Sequence, residues 1–310
     1  MLPPRPDMAA MADTSVTFTA VDLSRLPAPN VIEPLSFEQI YGEMLASLRA
    51  FLPDFDASVE SDPAVMLLRV CAYRELLLRG RINDAAKAVM PAFATGSDLD
   101  HLAALMSVTR LVLDPGDPAN NVPPTYEDDA ALRARLVLAP EGFSVAGPEG
   151  AYIFHARSAD GDVLDASATS PAAGQVLVTV LSRIGNGTAA PDLLAKVAAH
   201  VSAETVRPLT DAVTVQSAII VPYQITASLT TFSGPDGSIV LAEAQRRIEE
   251  YRARQHRLGV DITRSGIFAA LHAEGVQNVN LSSPAADIVV DRTQAAYCTG
   301  VTLTYAGTGE

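Results

Sequence analysis

The longest helical stretch in the sequence begins at the Asp62-Pro63 pair and runs toward Pro91. Aspartate is a favoured N-cap residue, and proline suits the first helical position because the amide it lacks has no partner there. Between the two prolines only Gly80 departs from good helix formers. At 1.5 Å per residue this pattern predicts a helix about 40 Å long. It is the strongest constraint on the fold and indicates a helical N-terminal unit.

Apolar residues occupy two faces of this predicted helix. The first stripe, with Glu75 near its middle, consists of Leu68, Cys71, Leu78, Ile82, Ala86 and Val89. The second stripe consists of Met66, Val70, Tyr73 and Leu77. A helix that is apolar on two faces must be covered on both, and a small helical unit offers limited cover. Another subunit or another protein could supply the rest.

Six polar residues lie within or beside these stripes and are the candidate site residues: Arg74, Glu75, Arg79, Arg81, Asn83 and Asp84. Charges in an apolar setting are costly unless paired, so Glu75 is predicted to pair with Arg79 four positions later. Arg74 and Arg81 are seven residues apart and are aligned for a partner's carboxylates, which arginine binds bidentately. The pattern leaves two interpretations open, a subunit interface or arginines that snorkel along an ordinary core helix.

Two shorter helices are predicted on either side of this one. The first begins at Ser36, which has capping-box spacing to Gln39, and Pro53 ends it. The other follows Gly96, with Ser97 as its cap. Residues 1–35 are rich in proline and are predicted to form an extended arm, and residues 113–125 are predicted to be a linker or an exposed loop.

Beyond residue 125 helices alternate with strand-like runs, so the predicted fold class is α+β. We expect a helical N-terminal unit followed by two small α/β domains, each an α+β sandwich. The predicted boundaries are 1–35 for the arm, 36–141 for the helical domain, 142–221 for the middle domain and 222–310 for the C-terminal domain.

Composition excludes several function classes. The net charge of -14, the aromatic content of 5% and the absence of tryptophan argue against nucleic-acid binding, which requires basic or stacking surfaces. The N-terminus lacks a signal-peptide pattern and no run reaches the ~20 apolar residues of a membrane span, so no membrane partner is expected. Cys71 and Cys298 have no CxxC spacing, which favours neither a disulfide framework nor a zinc site.

Two further motifs suggest chemistry only weakly. Gly185-Asn186-Gly187 opens a G-x-G-x-x-A string that could approach a dinucleotide pyrophosphate, but a tight turn explains it as well. Asp54, Asp56 and Ser58 have calcium-loop spacing, yet Val59 replaces the required glycine. The five histidines show no ligand spacing. We therefore expect no cofactor and no metal, while the residues alone leave open that one histidine acts as a catalytic base.

The stretch 61–110 resembles the signature block of the baseplate assembly protein J family of contractile phage tails and tail-like injection devices. The matching features are the Asp62-Pro63 start, the Ala72-Tyr73-Arg74-Glu75 run, the Arg81-Ile82-Asn83-Asp84 run and the Thr95–Asp100 break. The later segments "RPLTDAVTVQSA" and "GVQNVNLSSPAADIVV" are also similar to that family. The resemblance covers nearly all of the chain from about residue 35 onward.

This resemblance implies a structural role without catalysis. Proteins of this family are similar to a wedge component that forms a dimer with a partner wedge protein, six wedges closing around the hub of the baseplate. The implied partners are a second copy, a second wedge protein and sheath-initiator or hub-proximal baseplate proteins. The implied location is the virion tail baseplate, assembled in the host cytoplasm. The resemblance favours the interface interpretation of the six polar residues and suggests that the domains rotate against one another.

The alternative function is a cytoplasmic α/β nucleotide-binding enzyme that uses the Gly185-Asn186-Gly187 loop.

Overall fold

The structure, a computed structural model, describes residues 33–234 and 236–309, together with residues 23, 26, 27, 29 and 31. Most of the predicted arm therefore lies outside the described residues. The described chain forms two compact units, each with its own contacts. One is helical and contains residues up to Thr109 together with Asp128–Leu136. The other contains Arg110–Glu127 and residues 137–309. The predicted α+β class is confirmed, whereas the four domain boundaries stay a prediction.

The helical unit is built from α1 (Phe37–Phe51), α2 (Pro63–Ala88), α3 (Gly96–Ala104) and the first turns of α4 (Asp129–Gly142). The two predicted N-caps are confirmed, because the side chain of Ser36 accepts a hydrogen bond from the Gln39 amide and that of Asp62 accepts one from the Ala64 amide. These caps satisfy amides that have no partner inside the helix.

The cap predicted for α3 is wrong. This helix begins at Gly96, two residues earlier than a Ser97 cap would allow, and Thr95 makes no side-chain cap hydrogen bond. Gly96 has a φ of 54°, a conformation that glycine adopts without steric cost. Its amide donates to a carboxylate oxygen of Asp129 at 3.0 Å. A side chain distant in sequence thus replaces the local cap.

The core of the helical unit is small. Its buried apolar residues are Ile40, Val65, Ala72, Ala94, Leu99, Ala103, Val108, Leu132 and Leu136. Of the 26 residues of α2 only Val65, Ala72 and Asn83 are buried. This helix, the longest in the part of the chain that the structure describes, is therefore covered along one narrow line by its own unit.

A small hairpin occupies the stretch predicted as a linker. Strand β1 (Val112–Asp114) pairs with β2 (Thr125–Tyr126), and a short 3-10 helix (Pro118–Asn120) lies between them. Asp117 caps that 3-10 helix through the Ala119 amide. Proline, asparagine and glycine terminate regular elements but also build tight turns, so a composition typical of a linker here forms a compact loop.

The other unit contains two sandwiches, each with helices on one face of a three-stranded sheet. The first is formed by α5 (Glu149–Ala159), β3 (Val163–Thr169), β4 (Gln175–Ser182), α6 (Pro191–Val201) and β5 (Ala212–Ser217). Its strand order is β3-β4-β5, with the first pair antiparallel and the second parallel. Residues of both helices share one core with β3 and β4.

The second sandwich has the order β7-β6-β8, again with one antiparallel and one parallel pair. Its elements are β6 (Ile219–Phe232), α7 (Gly237–Gln255), α8 (Arg264–Leu271), β7 (Val276–Ser283) and β8 (Gln294–Gly309). Along β6 every second residue from Tyr223 to Thr231 is buried, the period expected of a strand with one face on the core. Both helices pack on that face.

The two sandwiches are joined without a linker. Only Ala218 separates β5 from β6, and it is buried with Leu181 and Ala295 in a shared apolar cluster. Its amide donates to the Val180 carbonyl at 2.8 Å. Glu149 forms an ion pair with Arg292, and both side chains are about one-sixth exposed or less, at 15% and 16%. These contacts join the two sandwiches, and the expected rotation of the domains stays a prediction.

Glu149→Ala should destabilise this unit strongly, because it leaves the Arg292 charge buried without its ion pair. Breaking such a pair costs roughly 3 kcal/mol, whereas the Glu149→Leu/Arg292→Met double variant should lie closer to the parent chain. Urea unfolding followed by circular dichroism measures both. Glu250→Ala, which breaks an exposed ion pair with Arg246, is the control. Equal losses for Glu149→Ala and Glu250→Ala would contradict a structural role for the buried pair.

Candidate interface on the N-terminal helices

Helix α2 is covered by its own unit along one line of its surface. Val65, Ala72 and Asn83 are buried on this line, and Leu76 and Arg79 are half-buried between them. The spacing of seven, four, three and four residues keeps all five on one side of an α-helix. Most of this line is apolar, but its C-terminal half consists of an arginine and an asparagine.

Arg79 binds three carboxylates of the same unit. Its Nε and Nη2 atoms donate to Oε1 of Glu75 at 2.9 and 2.5 Å. Nη1 lies 3.6 Å from a carboxylate oxygen of Glu33, and Nη2 lies 3.6 Å from one of Glu43 on α1. The hydrogen bond with Glu75 is the main cause that raises the pKa of Arg79. The predicted Glu75–Arg79 pair is confirmed. The further contacts of Arg79 with Glu43 and Glu33 join α2 to α1 and to the segment before α1.

Asn83 fixes that preceding segment. The residue is 6% exposed. Its Oδ1 atom accepts a hydrogen bond from the Glu33 amide at 3.1 Å, and its Nδ2 atom donates one to the Glu33 carbonyl at 2.8 Å. The amide side chain therefore reproduces both hydrogen bonds of a paired backbone residue. Residue 33, which the sequence assigns to the arm, is bound to α2.

A groove of about 420 Å³ lies beside this line. It is lined by Leu35, Phe37, Leu76, Leu77, Gly80, Arg81 and Asp84. A Cβ atom added at Gly80 would lie 3.6 Å from the Leu35 Cδ1 atom, an ordinary van der Waals distance. The groove is thus shaped by apolar residues with two charged groups at its edge.

The rest of α2 presents apolar side chains to solvent. Seven large ones are between 48% and 64% exposed: Met66, Leu67, Val70, Tyr73, Leu77, Leu78 and Ile82. All four members of the second predicted stripe are among them, and Cys71 and Val89 of the first stripe are exposed as well. Scattered exposed apolar residues are normal, but a contiguous set on one helix marks an interaction surface.

The six predicted site residues divide into two groups. Glu75, Arg79 and Asn83 make their contacts within the helical unit. Arg74, Arg81 and Asp84 are exposed, and none of the three forms an ion pair within the described part of the chain. Their role at a subunit interface stays a prediction. Glu33 and Glu43 could not be predicted as partners of Arg79, because both reach it only through the packing of α1 and the preceding segment on α2.

The Gly185-Asn186-Gly187 loop is a tight turn between β4 and α6. Gly185 and Gly187 have φ values of 66° and 100°. The Gly187 amide donates to the Ile184 carbonyl, the Thr188 amide to Asn186 Oδ1 and the Ala189 amide to Ser217 Oγ. A pyrophosphate site requires such amides to be free for the phosphate oxygens. This geometry disfavours the nucleotide-binding alternative.

The calcium-like string forms a local turn. The Ser58 amide and hydroxyl both donate to the Asp56 carboxylate, and the amide is the larger cause that lowers the pKa of that carboxyl. The described residues contain no group of three or more histidine, cysteine, aspartate or glutamate side chains placed to hold a metal ion. No helix in the described ranges is both long and apolar enough to cross a membrane.

Three family profiles match the chain in succession. The Baseplate J-like N-terminal domain matches residues 60–117, the Baseplate J-like central domain matches 144–217, and the Baseplate J-like protein C-terminal domain matches 223–304. The chain belongs to the baseplate J-like family. In this baseplate J-like chain, the N-terminal match contains α2 and all six predicted site residues.

A named relative extends this result. The baseplate J-like chain is 48% identical over 300 residues to "Baseplate protein J" of Escherichia phage P2, covering 94% of this chain and 99% of the relative. Among solved structures, a chain of the anti-feeding prophage baseplate aligns with 58% of this chain at 16% identity and a TM-score of 0.37. The aligned part is 43% of that solved chain.

Asn83→Ala should release the segment before α1 from α2. It removes two hydrogen bonds and leaves the Glu33 backbone groups unpaired, which costs about 1–3 kcal/mol. Amide exchange at residue 33 should accelerate and the thermal midpoint of the helical unit should fall. Asp84→Ala, one residue away on an exposed position, should change neither quantity. An unchanged exchange rate in Asn83→Ala would contradict the assigned contact.

Gly187→Ala should destabilise the chain more than Gly185→Ala. Both positions have positive φ, but a Cβ atom at residue 187 would lie 2.5 Å from the Leu181 Cδ1 atom, whereas residue 185 has nothing within 4 Å. Crowding of this kind costs roughly 1–3 kcal/mol beyond the backbone strain. Thermal unfolding of the two variants compares them. Similar midpoints would show that the turn is not packed as described.

Proposed function

We propose that this chain is a non-enzymatic structural subunit of a phage-tail baseplate and that the exposed surface of α2 joins it to other subunits. Membership in the baseplate J-like family and 48% identity to the P2 baseplate protein J support the baseplate role. The single structural observation that carries the proposal is the set of seven large apolar side chains exposed on α2.

The first step of the argument concerns energy. Burying apolar surface contributes roughly 25 cal/mol per Å² removed from water, so half-exposed side chains on one helix retain a substantial driving force for association. Apolar contacts alone specify neither partner nor register. Partner subunits that pack on both flanks of α2 would bury the apolar side chains that the short helices of its own unit leave exposed.

Charge supplies the specificity. Arg74 and Arg81 are two turns apart on α2 and exposed among the apolar residues. The chain has a net charge of -14, so two copies repel each other over most of their surfaces. Arginines that meet carboxylates of a second copy would reduce this repulsion where the copies touch. Asp84 offers a carboxylate beside the groove for the reciprocal contact.

The finer assembly follows the family. We propose that two copies of the chain form a dimer in each wedge and bind a second wedge protein there. Six such wedges would surround the hub, with sheath-initiator or hub-proximal baseplate proteins as further neighbours. The proposed location of the chain is the tail baseplate of the virion, which is assembled in the host cytoplasm. We also propose the domain boundaries 36–141, 142–221 and 222–310, which the two separate sandwich cores support.

Leu78→Gln/Ile82→Gln should weaken association without weakening the fold. Both side chains are more than 60% exposed in the isolated chain, so the polar replacements lose little there. Each apolar side chain at the centre of an interface contributes about 1–2 kcal/mol, so the pair should reduce affinity at least tenfold. Sedimentation of the chain alone and with co-expressed tail proteins measures this. Ile184→Gln/Leu209→Gln, exposed on the first sandwich, is the control. Equal assembly of both double variants would reject the α2 surface.

Arg81→Ala and Arg79→Ala form a matched pair that separates assembly from folding. Arg79 binds three carboxylates within its own unit, so Arg79→Ala should lower the thermal midpoint. Arg81→Ala should leave the midpoint unchanged and reduce co-assembly. If Arg81→Ala assembles normally, the exposed arginines only interact with solvent.

A further inference from the structure

The sheet of the second sandwich ends on one side at a free edge. Strand β8 is the last strand on that side and pairs only with β6. Near its start the chain before Gly259 covers its outer side, through a bridge between Leu258 and Ala295. Between residues 299 and 309 no described residue forms a backbone hydrogen bond to that side. Amide and carbonyl groups along this edge are a template for a further strand.

This edge lacks the protection that the opposite edge of the same sheet has. Natural edge strands often carry charged residues or prolines, which prevent a further strand from pairing. On the opposite edge, the Arg264 guanidinium group donates hydrogen bonds to the carbonyl oxygens of Leu281 on β7 and of Pro284 just after it. Residues 294–309, which form β8, contain no charged residue and no proline. The sequence of β8 therefore does not oppose pairing.

A regular stretch of β8 is long enough to bind another strand. Gly300–Tyr305 pairs with residues 224–229 of β6 without a register shift, and shifts occur on both sides of it. Six residues span about 20 Å, the length of an ordinary strand. The stretch can therefore accept a strand of its own length.

The two faces of this stretch differ. Val301 and Leu303 pack against the core of the second sandwich, and Tyr305 continues their row but is 47% exposed. Thr302 and Thr304 are exposed on the opposite, open face of the sheet. A strand that binds here must present an apolar row on the face covered by helices and small polar residues on the open face.

We propose that β8 of one copy pairs with β8 of a second copy, antiparallel about a two-fold axis through Leu303, so that their two sheets become one. Residues directly opposite each other in an antiparallel pair lie on the same face. With the axis at Leu303, Val301 of each copy faces Tyr305 of the other and covers its exposed ring. Thr302 faces Thr304 in the same way, a cross-strand pairing that stabilises sheets. The strand thus complements itself on both faces.

Charge favours a second copy as the occupant. The chain has a net charge of -14, so two copies repel each other over most of their surfaces. Because β8 carries no charge, two acidic chains can approach at this edge without bringing like charges together. A two-fold axis perpendicular to the sheet uses the same edge of both copies, so the assembly closes at a dimer. This pairing depends neither on α2 nor on the proposed baseplate role.

Sedimentation of a variant with an impaired α2 surface tests the pairing. Leu78→Gln/Ile82→Gln should form a dimer in the micromolar range, because its β8 edge is intact. Adding Thr302→Lys/Thr304→Lys should weaken that dimer by about tenfold or more, since each lysine then faces a lysine of the other copy. Adding Thr302→Lys/Thr304→Glu instead should retain the dimer, because each lysine then faces a glutamate.

Asn278→Lys/Asn280→Lys, added to the same α2 variant, is the matched control. Both asparagines are exposed on β7, on the open face of the sheet, so the control makes the same change of charge away from the β8 edge. It should retain the dimer. Circular dichroism, unchanged in every variant, confirms that the sandwich is folded.

Three results would overturn the proposal. The first is a monomer throughout the micromolar range although β8 is intact, and slow exchange of all Gly300–Tyr305 amides in that monomer would assign the edge to another segment of the same chain. The second is a dimer that Thr302→Lys/Thr304→Lys weakens no more than the control does. The third is equal weakening by Thr302→Lys/Thr304→Lys and Thr302→Lys/Thr304→Glu, which would exclude the register about Leu303. The α2 surface has a separate test, co-assembly with tail proteins.

Discussion

Uncovered apolar surface on α2 is the constraint on which the rest of the helical unit depends. The helix is 26 residues long, and its own unit buries three of them. A surface of this kind is unfavourable in water in proportion to its area, and the short helices α1 and α3 are too few to cover both flanks. Association with other subunits, the role proposed for this surface, would remove the remaining apolar area from water.

Polar residues of α2 hold the helix in place within its own unit. Arg79 and Asn83 bind α1 and residue 33 through directional contacts rather than apolar area, so the helix is positioned before any partner arrives. Pre-positioning reduces the ordering cost that association must overcome. The sandwiches differ in this respect, because each encloses its own apolar core and they share a buried cluster around Ala218.

Local signals in the sequence predicted much of this fold. Capping by Ser36 and Asp62 and the Glu75–Arg79 pair depend on residues a few positions apart, and all three are confirmed. Contacts across larger separations could not be predicted. Asn83 was expected at a partner surface, yet its partner is the backbone of residue 33, fifty positions earlier and without a sequence signal.

The same distinction explains the strands. The β1–β2 hairpin is built from turn residues that also occur in linkers. For the proposed interface, sequence periodicity predicted α2 and its apolar stripes, but which charges point outward depends on the position of α1.

The central claim is that α2 is exposed in the isolated chain and covered in the assembled particle, and cysteine alkylation tests it most directly. Cys71 lies exposed in the first apolar stripe, whereas Cys298 is buried in the second sandwich and serves as an internal control. Maleimide labelling followed by mass spectrometry should modify Cys71 in the isolated chain and leave it unmodified in intact baseplates, with Cys298 unmodified in both. Equal labelling of Cys71 in the two states would contradict the account.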